Sequence, residues 1–243
     1  MPAQFETAFQ NLVSDAQWSP PWIRDLRLRS YELFLEAGLP TRQNEDWKYT
    51  STRALAESSF RLSQNTAADA NAVALNSVAN ASRLVFINGM YNAALSILPP
   101  DIAVADIREA LTADQDTVFP CLDGADDSLL ALNLACFSSG IVLKVKQNTV
   151  VAKPLQLLFL QNAETEAALI SPRNIILVEA GAQVSLIESH FGETKHFTNA
   201  VTDVFVKDQA QCQYILERAF GPETKYVSRH SFHVARDARI ETF

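Results

Sequence analysis

Glycine is scarce in this chain. There are seven in 243 residues, and none is arranged as GxGxxG, GxxxxGK[ST] or GxSxG. A backbone that wraps a phosphate or presents an elbow serine needs such glycines, so both readings fall away. Cysteine is rarer still. Cys121, Cys136 and Cys212 are an odd number, 15 and 76 residues apart, which is neither a disulfide framework nor a CxxC metal pair. They read as buried thiols of a reduced, cytoplasmic protein. Basic charge is short as well: 20 Lys and Arg stand against 28 Asp and Glu, for a net charge of −8. That argues against bulk binding to a phosphate backbone, so no nucleic-acid partner is expected. No apolar run approaches the ~18–20 residues of a membrane helix. The opening Met-Pro-Ala-Gln-Phe-Glu lacks a basic region followed by an apolar core, so neither a membrane partner nor a secretory signal is expected.

What the chain does have is a repeat. Val178, Val206 and Val234 are 28 residues apart, and Ala182, Ala210 and Ala238 keep the same step. Apolar residues alternate on either side: Ile176 and Val178 before, Val184 and Leu186 after, and likewise in the later copies. Period two marks half-buried strands, and a fixed repeat of this length marks stacked coils that bury their inner faces only against each other. An earlier copy at Val145 lies 33 residues before Val178, and the five extra residues are assigned to Asn162–Glu166. Residues 141–243 therefore read as a parallel β-solenoid. Lys153-Pro154 and Ser171-Pro172 mark its corners, because proline cannot donate to a ladder. Phe191-Gly192 and Phe220-Gly221 are 29 apart, so one loop is expected to absorb an extra residue. The last coil stops within a strand at Phe243, which predicts a fragment or an end covered by something else.

Upstream, residues 1–62 read as a helical domain. One short helix spans 4–14; a second is capped by Ser19, starts at Pro20-Pro21 and stops at Gly38. Its apolar stripe is Trp22, Ile23, Leu26, Ser30, Phe34 and Leu35, with Arg24, Asp25, Arg27 and Arg29 on other faces. Gly38–Thr50 reads as a polar clasp, Arg42 and Lys48 against Glu45 and Asp46, over Trp47 and Tyr49 as aromatic anchors. Thr50 or Ser51 caps a short helix through Leu55. Residues 63–82, rich in Ala, Asn, Ser and Gln, read as a linker. Residues 83–140 form a transition segment capping the solenoid: a hairpin turning at Asn88-Gly89, a helix over Ile107–Leu111 capped by Asp106 and a helix over Ser128–Phe137 behind Asp126 and Asp127.

Catalytic groups are thin. His190, His196, His230 and His233 fall in the repeats, none in an HExxH setting. His230 and His233, three apart in a strand, should face opposite sides. Glu188 and His190 share a face, with Cys212 in the next coil, but a metal needs three or four convergent ligands. Glycoside chemistry needs two facing carboxylates. Glu188, Asp203, Asp208, Asp237 and Glu241 form no inward stack, and Asp208 with Arg236 and Glu179 with Lys207 read as charge pairs between coils. No catalytic, cofactor-binding or metal residue is assigned.

Four stretches, in order, resemble the SufB/SufD family of SUF-system iron–sulfur cluster assembly proteins. They are Gly38-Leu-Pro-Thr-Arg42 with Glu45-Asp-Trp-Lys-Tyr-Thr50, Leu84-Val-Phe-Ile-Asn-Gly89, Leu132–Gly140, and Ser171-Pro-Arg-Asn174 running into Gly181–Glu188. The first is closer to the family's D branch than to its B branch. The resemblance implies a helical N-terminal domain, a right-handed parallel β-helix and a helical C-terminal domain whose ATPase contact lies past Phe243. The end of the β-helix that meets the B subunit, with the histidine implicated there, lies past it too. It further implies a non-catalytic scaffold that pairs with a SufB-like subunit and a SufC-like ATPase and assists iron supply. The chain alone is expected to hold no cofactor, the cluster or iron being handled by the complex. A homodimer through the β-helix is the remaining partner reading. A β-solenoid carbohydrate enzyme and a free-standing Fe–S carrier ligating through Cys121, Cys136 or Cys212 are the alternatives.

Overall fold

A computed structural model describes residues 3–15, 19–63, 69–113, 115–122, 124–162, 167–193 and 195–243. It is a mixed α/β structure with a helical N-terminal region and two sheets built mainly from parallel strands. The first helix, α1 (Glu6–Ser14), turns Ala8, Phe9 and Leu12 inward. The second, α2 (Pro21–Ala37), begins at a proline that needs no donor and ends at Gly38, whose φ of 68° suits glycine. Ser19 is not its cap: the hydroxyl donates instead to Leu12 O at 2.7 Å, tying α1 to α2. Nor is Arg27 on an outer face. It is fully buried and donates to Ala135 O and Phe137 O, each at 2.9 Å, with its guanidinium 4.1 Å from the Phe137 ring centre. Those carbonyls lie at the C-terminal end of the helix over Ser128–Cys136 and have no partner within it, so a buried cation there satisfies what that helix leaves over.

The loop after Gly38 is tied internally: Thr41 N–H donates to Asn44 Oδ1 at 2.8 Å and Thr52 Oγ1 to Pro40 O at 2.6 Å. Trp47 packs against the helical core, but Tyr49 is 89 % exposed, with Lys48 Nζ 5.5 Å from its ring. The expected clasp over two anchors is therefore one anchor and one exposed ring. A short α3 (Arg53–Ala56) follows Thr52, and Ser51 Oγ accepts from Arg53 N–H at 3.4 Å. After β1 (Arg61–Leu62), the stretch read as a linker contains α4 (Ala70–Leu75), capped by Asp69 accepting from Asn71 N–H. Val73 alone on it is buried, against Val85 and Leu158, so its sequence shows no apolar period.

Strands β2 (Ser82–Ile87) and β3 (Met90–Ile97) form the expected hairpin, with Asn88 and Gly89 both at positive φ. Strand β4 (Ile102–Asp106), absent from the sequence reading, leads into α5 (Ile107–Ala113), where Asp106 accepts from Arg108 N–H. After α6 (Gln115–Val118), α7 (Ser128–Cys136) is capped by Asp127, which accepts from Leu129 and Leu130 N–H, both at 2.8 Å. Every residue of α7 from Leu129 onward is buried, because α2 covers one side and the sheet the other.

From Ile141 the chain alternates between two sheets. One receives β5 (Ile141–Val145), β7 (Ala168–Ile170) with β8 (Arg173–Val178), β10 (His196–Val206) and β12 (Lys225–Val234). The other receives β6 (Leu155–Gln161), β9 (Gln183–Gly192), β11 (Gln211–Phe220) and β13 (Arg239–Thr242). Val178, Val206 and Val234 are register partners, as the repeat demands. At one end β4 pairs antiparallel with β5, and the β2–β3 hairpin pairs through β2 with β6. Between the sheets lie Leu155, Leu157, Ile176, Val178, Leu186, Val204 and Val206, all fully buried. Each such side chain contributes on the order of 1.5–3 kcal/mol.

Two expectations about spacing are corrected by the registers. Gly192 partners Phe220, not Gly221, and Phe197 partners Lys225, so the 28-residue step runs unbroken through this loop. The five extra residues of the first copy are also divided. The step is 33 at Val150↔Gln183, 31 at Leu155↔Leu186 and 28 at Ala168↔His196. Two extra residues therefore enter at the Val151–Pro154 corner and the rest after Gln161; Ala163 to Glu166, on which the expectation fell, lie outside the described residues. Each copy turns through a left-handed residue at one position: Asn148, Gly181, Gln209 and Asp237, with φ between 56° and 69°. Gly181 takes this conformation without steric cost and leaves room for the Asn148 side chain, whereas the other copies hold it with Asn, Gln and Asp.

Candidate functional site

Alternation on β9 turns Val184, Leu186, Glu188 and His190 into the space between the sheets. The first two meet apolar neighbours; the last two make the interior polar. Glu188 is fully buried, and its Oε1 lies 2.7 Å from His190 Nε2 and 3.2 Å from His230 Nε2. Its Oε2 accepts from Thr202 Oγ1 at 3.2 Å and from the Tyr214 hydroxyl. One carboxylate thus joins β9, β10, β11 and β12 across both sheets. His190 stacks on Phe159, centres 4.4 Å apart, and meets Tyr226 edge-on. Burial alone would raise the Glu188 pKa, but hydrogen bonds from His190 and His230 and the charge of those imidazoles hold it far below the usual carboxylate range. Burial, then the neighbouring carboxylate, pushes the hydroxyls of Tyr214 and Tyr226 up.

Sequence placed Glu188 and His190 on one face, and they meet. It offered Cys212 as their neighbour, but Cys212 partners Val184, four residues away along β9, so the thiol stays in the apolar half. The residues it missed, Tyr214 and His230, are what sequence signals least: contacts between sheets, visible only once the facing of β11 and β12 is known. His233 does point away from His230, stacking on Phe205 at 4.3 Å. Among the described residues, no group of three His, Cys, Asp or Glu side chains has the arrangement of a metal site. The three cysteines are buried outside any disulfide, and burial pushes the Cys121 thiol up to about 11 and those of Cys136 and Cys212 up to about 12.

The candidate carboxylates are dispersed. Asp203, on the outer face of β10, is buried against Arg173, Nη2 to Oδ2 2.8 Å. Asp208 pairs with Arg236 at 3.2 Å as expected, whereas the partner of Glu179 is Lys144 of the preceding copy, at 3.2 Å, not Lys207. Lys144 partners Leu177, so it and Glu179 stand two positions off register on the same face, which a long lysine spans easily. Asp237 and Glu241 are at the surface beside Arg236 and Arg239.

Glu188 and its partners thus form a buried polar hub that ties four parallel strands together, and this is the setting in which the chain can be compared with known proteins. Family comparison places it. Residues 4–157 match the SufBD protein N-terminal region and residues 159–243 match the SufBD core domain of the SUF system for FeS cluster assembly, and the chain belongs to this SufBD family. It is 31% identical over 219 residues to the iron–sulfur cluster assembly protein SufD of Escherichia coli, covering 84% of this chain and 48% of that one. It is 27% identical over 220 residues to an iron–sulfur cluster assembly SufBD family protein of Synechocystis, covering 82% and 47%. The chain spans about half the length of these curated relatives.

Proposed function

We propose that this chain is the non-catalytic scaffold part of a SufD-type subunit, working in the cytoplasm with a SufB-like subunit and a SufC-like ATPase and assisting the supply of iron as cargo. The observation that carries the reading is the match of two consecutive family regions over almost the whole chain. The 28-residue register through β8, β10 and β12 supports the finer reading of residues 141–243 as a parallel β-helix, right-handed as in the family it resembles; α1 to α3 support 1–62 as a helical domain, and the pairings of β4 with β5 and β2 with β6 support 83–140 as the cap. The mechanism is geometric: a stiff stack holds a partner's strands in place while the ATPase, bound elsewhere, shifts the two subunits relative to each other. Co-expression of the full-length protein with its SufB-like and SufC-like partners should give one complex of fixed stoichiometry. Full-length protein that purifies alone, with both partners soluble, would overturn the reading.

A further inference from the structure

The charge at the centre of the Glu188 hub is met by no permanent cation. Glu188 is fully buried and ionised, and among the described residues no lysine or arginine hydrogen-bonds to it. Arg218 on β11, the register partner of His190, is exposed and lies over the Tyr226 ring, 5.6 Å from its centre. Burial keeps Tyr214 on β11 and Tyr226 on β12 neutral, and β10 contributes only the hydroxyl of Thr202. A lone charge sealed between two sheets costs far more than a hydrogen-bonded pair of opposite charges. One proton added to either imidazole, His190 on β9 or His230 on β12, would make the hub neutral.

The two rings are not equivalent as carriers of that proton. Each already meets Glu188 Oε1 through Nε2, so the second proton has to sit on Nδ1. On His190, Nδ1 is sealed from solvent and faces no acceptor, and an N–H there would be buried without a partner. On His230 the side chain keeps 13 % of its surface and Nδ1 is not sealed, so an N–H there can be hydrated. We propose that His230 is an imidazolium paired with Glu188 while His190 stays neutral, and that this bound proton ties β12 to β9 across the two sheets. The tie is sensitive to pH. The folded hub holds a proton that the unfolded chain releases above about pH 6.5, so stability falls as pH rises from there until His230 lets the proton go. His196, whose folded value is about 4, is neutral in that range and adds no slope. The proposal does not rest on the assembly role.

Proton–nitrogen correlation spectra of the protein with labelled histidines, each ring assigned from the signal that a single His→Gln replacement removes, test it. At neutral pH His230 should carry a proton on both nitrogens and His190 on Nε2 alone. Glu188→Gln, which keeps the side chain's size and removes its charge, should return His230 to one proton at the same pH. Between about pH 6.5 and 8 the wild-type folding constant should fall by up to tenfold per pH unit, and that of Glu188→Gln should stay level. The wild-type spectrum decides the matter alone if Glu188→Gln fails to fold. Two neutral rings, a doubly protonated His190, a His230 that keeps both protons in Glu188→Gln, or a wild-type slope no steeper than the variant's overturns the proposal.

Discussion

Removing the Glu188 carboxylate should destabilise the protein far more than removing any surface charge. In Glu188→Ala the hydroxyls of Thr202 and Tyr214 and the Nε2–H groups of His190 and His230 all lose their acceptor, and His190 and Tyr214 are buried where water does not reach. Breaking a buried charged partnership by deleting one side costs about 3–5 kcal/mol, most of it for the groups left behind. For a chain of 243 residues that is a fall in Tm of roughly 10 °C. Urea unfolding followed by tryptophan fluorescence measures it directly. The pH dependence adds a second check. A carboxylate held below its ordinary pKa contributes its full stability above about pH 4.5 and loses it as pH falls through the depressed folded value. The gap between wild type and Glu188→Ala should therefore narrow as pH falls below the ordinary carboxylate range. A loss under ~1 kcal/mol at pH 7, or a gap that widens on acidification below about pH 4.5, would refute the hub as a source of stability.

His196 is buried, and burial lowers its pKa from 6.5 to about 4. The neutral ring is favoured in the fold, so stability should be complete above pH 6.5 and decline by up to roughly 3 kcal/mol toward pH 4. His196→Gln should flatten that part of the pH–stability curve. Gln209 holds the left-handed turn position with φ of 61° that Gly181 holds one copy earlier. Gln209→Gly should thus stabilise by on the order of 1 kcal/mol in the same urea assay, where an exposed Gln→Gly elsewhere destabilises.

How much of this was legible depended on range. Local chemistry was: Asp127 ahead of α7, Asn88-Gly89 in the hairpin, and the spacing of Val178, Val206 and Val234 each dictate a structure from a few neighbouring residues. Arg27 was misread because helical spacing ranks residues by polarity, and only α7, 108 residues on, supplies the carbonyls that make its burial tolerable. The 29-residue spacing of Phe-Gly pairs misled in the opposite way, since similar dipeptides need not occupy the same place in two strands. The Glu188 hub was half visible. One strand's alternation gives Glu188 and His190, whereas Tyr214 and His230 arrive from neighbouring copies on opposite sheets.

An unbroken 28-residue step means that the pairs β8–β10, β9–β11, β10–β12 and β11–β13 all form at one chain distance. The loops closed in forming successive pairs are of equal length, so their entropic cost is the same for each, and no single long-range contact must wait for the rest. Order can then spread from one layer to the next, like courses of brick laid on a finished course. Insertions and deletions are sorted by the same rule. Losing a whole unit leaves every remaining side chain on its own face, while losing a single residue within a strand turns that strand's interior outward.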